Sequence, residues 1–417
     1  MTRRSDDKTV VVALGGGIAC YKVPEVVRLL RAAGVRVRVI MTRSACEFIT
    51  PLTLQTLAGS PVATELFDLT QESEIGHIRL ADEADAIVVA PATANLIGKA
   101  AAAIGDDLLT TVLLATRAPV LLAPAMNVHM WENPLVQDNL ERLRRHGWRV
   151  IEPGVGALAC GYEGAGRLAE PTAIVAEVER TLNEPDLRGE RVLVTAGPNR
   201  EAIDPVRFIS NRSTGRMGYA LAAAAWRRGA EVVLVSGPTA LTAPHGVRCE
   251  RVLTAAEMHD AVRREFRDAT VLMMAAAVAD YRPAAVRPQK LKKTDGPMRL
   301  ELTRTTDILG ALRGRAGDRL VVGFAAETEQ VLANAERKLR DKGLDLIVAN
   351  DVSASNAGFE VDTNAVTLID AEGRTDVPLA SKDEVADRIL DRVVGLLKAR
   401  RATPARSSAV RSARRRR

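Results

Sequence analysis

Two doubly wound α/β domains in tandem are predicted for this chain from three observations. Each half opens with a buried-strand run that breaks into a glycine turn, Val10-Val-Val-Ala-Leu14 into Gly15-Gly-Gly17 and Arg191-Val-Leu-Val-Thr195 into Ala196-Gly-Pro198. Aromatic residues make up only 3% of the chain while 47% is hydrophobic, so the cores must be built from Val, Leu, Ile and Ala. That composition suits parallel strands covered by helices on both faces. Finally, 417 residues is enough for two cores of ordinary size and unusually long for one.

In the first half, Val10–Leu14 is followed by a helical pattern ending near Gly34, then by strand-like runs at Val35–Met41, Ala86–Ala90 and Val120–Ala123. This is a βαβ rhythm. A right-handed doubly wound sheet binds its ligand outside the carboxyl ends of its strands. Gly15-Gly-Gly17, Met41-Thr42-Arg43-Ser44, Pro91-Ala-Thr-Ala-Asn95 and Pro124-Ala-Met-Asn127 all fall there, so four strand ends should converge on one crevice. The glycine run is not a dinucleotide fingerprint, because Cys20 stands where a glycine is needed. A flavin mononucleotide asks less: its single phosphate needs backbone amides, hydroxyls and a helix start, which Gly16, Gly17, Thr42 and Ser44 would supply. A tight structural turn is the alternative reading of the same glycines.

His77, in Gly76-His-Ile-Arg-Leu80, is either a satisfied structural histidine or part of this site. Asn127 opens Asn127-Val-His-Met-Trp131, where its amide either caps a helix or holds a substrate carboxylate. Cys160 lies in Gly154–Arg167, a run with five glycines and no apolar periodicity. Such a segment is not expected to pack as a regular element, and so permissive a loop marks a flap or a close approach to ligand. With an ordinary pKa of about 8.5, a thiol there would be mostly protonated and able to deliver a proton.

The second half follows a charged linker near Asn183–Gly189. Its first strand leads through Gly197-Pro-Asn-Arg-Glu201 to a polar loop, Phe208–Gly218, that opens a helix from Arg216 to Gly229. Amides at that helix start, with Ser213 and Thr214, suit a phosphate, or simply a capped helix. An apolar strand, Val271–Ala277, then delivers Asp280 to a loop ahead of Gln289-Lys-Leu-Lys-Lys293. Three lysines in four residues are either a solvated run or a clamp for a triphosphate and its departing pyrophosphate. Lys338 and Lys342 lie four apart on one helical face, where like charges repel by roughly 0.2–0.5 kcal/mol unless a phosphate joins them.

The formal charge of +6 is misleading, because eight arginines and no acid occupy residues 399–417, leaving −2 for the remainder. That end is expected to be a disordered tail. Four scattered cysteines without a CxxC pair argue against a disulfide framework or a zinc site, and a reducing cytoplasm fits. The most apolar stretch, Ala86–Gly105, is broken by Pro91, Asn95 and Lys99, so no membrane span is expected.

With its Gly-His-Ile, Pro-Ala-Thr-Ala-Asn, Pro-Ala-Met-Asn and Ala-Cys-Gly motifs in order, the chain resembles the bifunctional phosphopantothenoylcysteine decarboxylase and phosphopantothenate cysteine ligase family of coenzyme A biosynthesis. The likeness covers all but the first few residues and the arginine-rich end. It implies a flavodoxin-like, FMN-dependent decarboxylase domain over residues 1–187 and a Rossmann-like, CTP-dependent ligase domain over 188–398, followed by the tail at 399–417. His77 would be the essential histidine near the flavin, Asn127 the substrate carboxylate clamp, and Cys160 the proton donor on a flap. Gly16, Gly17, Thr42, Ser44, Thr93, Asn95 and Met126 would surround the cofactor.

Loss of carbon dioxide needs an electron sink, which oxidation of the adjacent thiol to a thioaldehyde provides; the hydride then returns to the enethiol with a proton from Cys160, and no external nicotinamide is required. In the ligase, the resemblance implies that CTP activates 4'-phosphopantothenate as an acyl cytidylate that the amine of cysteine attacks. Lys290 would serve the first step and Asn211 the second. Ala275, Ala276, Asp280, Lys290, Asp307, Ile308, Phe324, Lys338 and Lys342 would hold CTP, with Mg²⁺ on the triphosphate and metal ligands left open. A homo-oligomer is implied, a dodecamer of flavin-domain trimers joined by ligase dimers, with flavin bound between subunits and no nucleic-acid or membrane partner.

Cys20 replaces the family's usual alanine, Thr214 a serine, and Thr305-Thr306 a common Asn-Pro. Cys20 is thereby expected to be a redox-sensitive thiol near the flavin. Two other classes share the flavin motifs, a regulatory flavin-binding subunit and a peptidyl-cysteine decarboxylase, but neither has a use for the second half.

Overall fold

A computed structural model of the chain describes residues 8–67, 76–157, 161–293, 297–327, 329–351, 358 and 361–402. The chain divides into two compact units, Met1–Glu184 and Pro185–Arg417. Among the described residues no helix is long and apolar enough to cross a membrane.

The first unit is a six-stranded parallel sheet, β1 (Thr9–Leu14), β2 (Arg36–Met41), β3 (Val62–Ala63), β4 (Ala86–Ala92), β5 (Val120–Pro124) and β6 (Arg149–Val150), in the order β3-β2-β1-β4-β5-β6. With two-residue β3 set aside, the remaining order is that of a flavodoxin-like sheet. Helices α1 (Val23–Ala32), α2 (Arg43–Cys46) and α3 (Pro51–Ala58) follow β1 and β2, and α4 (Gly76–Glu83), α5 (Ala94–Ala101) and α6 (Leu108–Ala115) flank β4. Beyond β5 come α7 (Val128–Trp131) and α8 (Pro134–Arg145), then a hairpin of β7 (Gly154–Ala157) and β8 (Glu163–Arg167), then α9 (Pro171–Leu182). Alternation along the buried strands feeds two cores. Val10, Val12 and Leu14 meet Val23, Val26, Val27 and Leu30 of α1, whose spacing makes one apolar face. Val11 and Ala13 meet Leu96, Ile97, Leu109 and Leu140 on the opposite side. Each fully buried aliphatic side chain of this kind contributes roughly 1.5–3 kcal/mol.

The expectation that Gly154–Arg167 forms no regular element is corrected: β7 and β8 pair antiparallel, with Gly156 opposite Gly164. Gly156, Gly164 and Gly166 have φ of 146°, 157° and 143°, an extended conformation that residues with a Cβ rarely adopt. A Cβ on Gly166 would stand 2.3 Å from the Met126 carbonyl oxygen. The glycines therefore make the strands; they do not forbid them.

The second unit repeats the plan. Strands β9 (Arg191–Ala196), β12 (Glu231–Ser236), β13 (Arg248–Arg251), β14 (Val271–Met274), β17 (Leu320–Glu327) and β18 (Leu346–Asp351) are parallel, and β19 (Thr363–Asp370) and β20 (Gly373–Ser381) extend the sheet antiparallel. Their order is β13-β12-β9-β14-β17-β18-β19-β20. Two small antiparallel ribbons stand apart from it, β10 (Arg200–Ala202) with β11 (Phe208–Ser210) and β15 (Tyr281–Pro283) with β16 (Leu302–Arg304). Helices α11 (Ala255–Glu265), α12 (Ile308–Leu312) and α13 (Val331–Lys342) share one core with the sheet, and α10 (Arg216–Arg227) packs with α14 (Lys382–Ala402).

Three sequence boundaries move. The strand expected over Val271–Ala277 ends at Met274, after which Ala277 keeps only an isolated bridge to Pro198. Asp186 and Leu187, placed above with the first domain, pack on the second: Leu187 is fully buried, its amide donates to the Arg228 carbonyl, and Asp186 receives the Arg228 guanidinium at 2.6 Å. The tail does not begin at 399, because α14 runs to Ala402, with Arg400 donating to the carbonyls of Asp318 and Arg319 and Arg401 paired with the buried Glu190.

Candidate active sites

In both sheets the order reverses beside the first strand, between β1 and β4 and again between β9 and β14. An open α/β sheet offers its crevice there. In the first unit a cleft of about 860 Å³ opens at that point, lined by the turns after β1, β2, β4 and β5. Gly16, Gly17, Thr42, Ser44, Thr93, Asn95, Met126 and Asn127 all border it, as the strand-end argument anticipates.

These residues divide by what their polar atoms do. The Thr42 hydroxyl donates to the Leu14 carbonyl at 3.1 Å and accepts from the Ala45 amide at 3.2 Å, so it welds β1 to the start of α2. Thr93 caps α5 by accepting from the Leu96 amide at 3.3 Å. Asn127 caps α7 through its carbonyl oxygen, 2.8 Å from the His129 amide. That cap fixes which way the amide donor, the group a carboxylate needs, is turned. By contrast, among the described residues the Gly16 and Gly17 amides and the Ser44 hydroxyl have no protein acceptor or donor. Gly16 is also sterically obligatory, since a Cβ there would lie 2.3 Å from that of Ser44. Amides and a hydroxyl gathered around a glycine cradle fit the single phosphate of a flavin mononucleotide.

His77 occupies the first turn of α4, half-buried, and does not line the cleft of its own chain. Cys160 lies outside the described residues. Cys20 departs from the redox-sensitive expectation: it is fully buried, its thiol donates to the Gly15 carbonyl at 3.2 Å, and burial pushes its pKa up. Such a thiol is inert and serves to brace the glycine turn.

In the second unit a cavity of about 520 Å³ is lined by Ala276, Asp280, Asp307, Ile308, Phe324, Lys338 and Lys342, together with Tyr281, Arg304, Thr305 and Thr306. Lys338 donates to the Phe324 carbonyl at 2.7 Å; burial draws its pKa below the ordinary lysine value against the opposing pull of Glu327. Lys342 is bonded to Asp307, whose other oxygen caps α12 by accepting from Gly310 at 2.9 Å. Partial burial raises the Asp307 carboxyl, but Lys342 and that amide outweigh it and hold the pKa below the usual range. Ala275 faces a smaller neighbouring cavity, which shares Phe324 and is formed by Ser213–Gly218 at the start of α10 with Asn350, Asn364 and Lys382.

Asn211 and Lys290 stand differently. The Asn211 amide donates to the carbonyls of Ala277 and Val278 at 3.1 and 3.2 Å, so it clamps the loop that carries Asp280. Lys290 is exposed and lines neither cavity. Sequence reasoning passed over Lys382, Asn350 and Asn364; polar residues at the ends of apolar strand runs were the available signal. It also passed over Asp204, whose Asp-Pro step announces a turn. Among the described residues, no three His, Cys, Asp or Glu side chains converge as a metal site.

Residues 1–183 match the family model described as Flavoprotein, and residues 187–397 match the DNA/pantothenate metabolism flavoprotein C-terminal domain. The class is thus a flavoprotein domain fused to a pantothenate-metabolism domain. The coenzyme A biosynthesis bifunctional protein CoaBC of Bacillus subtilis (strain 168) is 49% identical over 398 residues, 94% of this chain and 98% of that protein. Its counterpart from Escherichia coli (strain K12) is 45% identical over 392 residues, 93% of this chain and 97% of that one. A crystal structure of the C-terminal domain of a CoaBC protein is 43% identical and covers 52% of this chain and 100% of its own, with a TM-score of 0.45. The chain belongs to the bifunctional coenzyme A biosynthesis family, in which one polypeptide is both decarboxylase and ligase.

Proposed function

We propose that the second unit joins cysteine to 4'-phosphopantothenate using CTP and Mg²⁺, and that the first unit decarboxylates the resulting 4'-phosphopantothenoylcysteine with FMN. The observation that carries the ligase half is the gathering of Asp280, Asp307, Lys338 and Lys342 around Phe324 in one cavity lined by the segment after β14 and by β17. Lys338 and Lys342 would neutralise the nucleotide, and Asp280, exposed at the cavity edge, would offer its carboxylate to the Mg²⁺ that accompanies the triphosphate. A carboxylate is a poor electrophile, so activation as an acyl cytidylate precedes attack by the amine. Lys290, carried on its loop, answers the charge that develops as diphosphate leaves. Asn211 keeps the Ala277–Val278 backbone in place while the acyl cytidylate is consumed.

In the first unit the Gly16 and Gly17 amides and Ser44 hold the cofactor phosphate. The bound flavin supplies a reversible two-electron sink. Asn127, oriented by its cap on α7, holds the substrate carboxylate, and Cys160 delivers the final proton. Because His77 stands off the cleft of its own chain, an adjacent copy is the natural source of that histidine, which supports a homo-oligomer; the family's dodecamer is the arrangement we propose, working in the cytoplasm.

The test is to incubate the purified protein with 4'-phosphopantothenate, cysteine, CTP and Mg²⁺ and follow products by mass spectrometry beside Cys160→Ser. CMP, carbon dioxide and 4'-phosphopantetheine are expected from the parent, while the variant stalls after carbon dioxide loss. A colourless protein that forms no cysteine adduct would overturn both assignments and favour a binding role.

A further inference from the structure

Lys290-Leu-Lys-Lys293 has no regular secondary structure, yet Leu291 is held at both ends of its backbone. The Leu291 amide donates to Asp204 Oδ2 at 3.1 Å, and the Leu291 carbonyl accepts from Arg207 Nη2 at 2.9 Å. Earlier in the same stretch the Arg287 amide donates to the Ile203 carbonyl at 2.9 Å. Residues 203–207 therefore bracket a segment more than 80 positions away in sequence.

The side of the bracket formed by Asp204 is rigid. Its side chain is fully buried. Oδ1 accepts from the amides of Val206 and Arg207, both at 2.8 Å, which closes a turn around Pro205. Oδ2 faces the Leu291 amide and lies 3.4 Å from the Arg207 guanidinium. A carboxylate has about four lone-pair sites, and every one of these neighbours is a donor. An asparagine of the same shape must turn its NH₂ toward one of them, so it cannot serve both sides. Burial raises the Asp204 pKa, but the three amides outweigh it and hold the group below the ordinary aspartate value. It is thus an anion throughout the neutral range.

We propose that Asp204 is a positioning residue of the ligase: through the Leu291 peptide it fixes the register of the lysine loop and so the reach of Lys290. This rests on the reading that Lys290 acts in ligation. Lysine has a flexible four-carbon stem, and a misplacement of about 1 Å can lower a rate on the order of 100-fold. Lys338 and Asp307 have anchors of their own at the cavity, whereas Lys290 depends on the loop beneath it.

The experiment compares full-length parent, Asp204→Asn, Asp204→Glu, Lys290→Gln and the Asp204→Asn/Lys290→Gln double variant. Expected for Asp204→Asn is a fall of about 10- to 100-fold in kcat for CTP-dependent ligation with decarboxylation unchanged. Trypsin should cut the folded variant faster at Lys290, Lys292 and Lys293, and Asp204→Glu, which retains the charge, should recover part of the rate. If Asp204 acts through Lys290, the double variant ligates no more slowly than Lys290→Gln alone. Multiplying losses in the double variant, or parent-like ligation by Asp204→Asn, overturns the proposal. Full ligation by Lys290→Gln sinks the lysine reading instead, and the trypsin pattern separates that case: parent-like cleavage of Asp204→Asn refutes the bracket itself. Should Asp204→Asn fail to fold, the same comparisons are made with Arg207→Met, which removes the other hold on Leu291, and parent-like ligation and cleavage there refute the bracket equally.

Discussion

The cleft proposed for the flavin opens at the switch point beside β1 and the cavity proposed for the nucleotide beside β14 and β17, in two sheets with the same order in their parallel part, and they are made of different material. In the first, Thr42, Thr93 and Asn127 each give a side-chain oxygen to a helix cap, and what faces the cleft at the glycine cradle is backbone amides with uncharged side-chain donors. In the second, charged side chains face the cavity and are balanced against one another, Lys342 by Asp307 and Lys338 by a carbonyl and the field of Glu327. A backbone cradle is finished when the chain folds. A charged cavity still carries a desolvation penalty that a nucleotide relieves. The first site should therefore fail through shape and the second through charge.

The largest expected effect tests shape. Gly16→Val places its Cβ 2.3 Å from that of Ser44 and 2.8 Å from the Ser44 carbonyl carbon, so the turn must open. The purified variant should be colourless and should lose decarboxylation altogether, while ligation persists. A yellow, active variant would show that the cradle tolerates movement.

Next in size is a test of charge. Lys338→Met should raise KM for CTP about 10- to 100-fold, the loss of one partly buried charge-assisted contact to phosphate of roughly 1.5–3 kcal/mol. In the parent the cation is the binding form, and burial holds its pKa below the ordinary lysine value of about 10.4. CTP affinity should accordingly weaken as pH rises through that lowered pKa, earlier than for an exposed lysine, and Lys338→Met should show no such step. Titrating CTP binding across alkaline pH checks both; an unchanged pH profile in the variant would assign the step elsewhere.

The same contrast explains what the sequence disclosed. The cleft was legible because it is local: a strand run followed by glycines, or by Pro-Ala-Met-Asn, states both element and ligand side within a few residues. Lys338 and Lys342 were legible for a similar reason, their spacing on one helix. What escaped was long-range. No periodicity could say that Asn211 spends its amide on the backbone of Ala277 and Val278, or that Asp204 reaches Leu291. The glycine-rich hairpin is hidden from a composition argument because glycine lowers strand propensity in general yet is required where φ is positive in an extended strand.

Asn211→Ala sharpens the comparison with a smaller effect. It removes two donors from the loop leading to Asp280 without touching the lysines, so ligation should slow about tenfold. Accumulation of the acyl cytidylate, seen by mass spectrometry, would mark the second half-reaction as the one that suffers. Equal loss of both half-reactions would mean that the loop merely shapes the CTP cavity.

The smallest effect concerns the end of the chain and separates stability from catalysis. Ending the chain after Ala402 removes only residues beyond α14, and both activities and the melting temperature should stay as in the parent. Ending it after Lys398 also removes Arg400, which donates to the Asp318 and Arg319 carbonyls, and Arg401, the partner of Glu190. Glu190 keeps only 3% of its side chain exposed, so its carboxylate would be left buried without that donor. The expected loss is about 1–2 kcal/mol, a fall of roughly 2–8 °C in the melting of the second unit. Because neither arginine borders a cavity, catalysis at moderate temperature should be unchanged. A lower melting temperature already on truncation after Ala402 would instead assign the basic tail a part in the folded state.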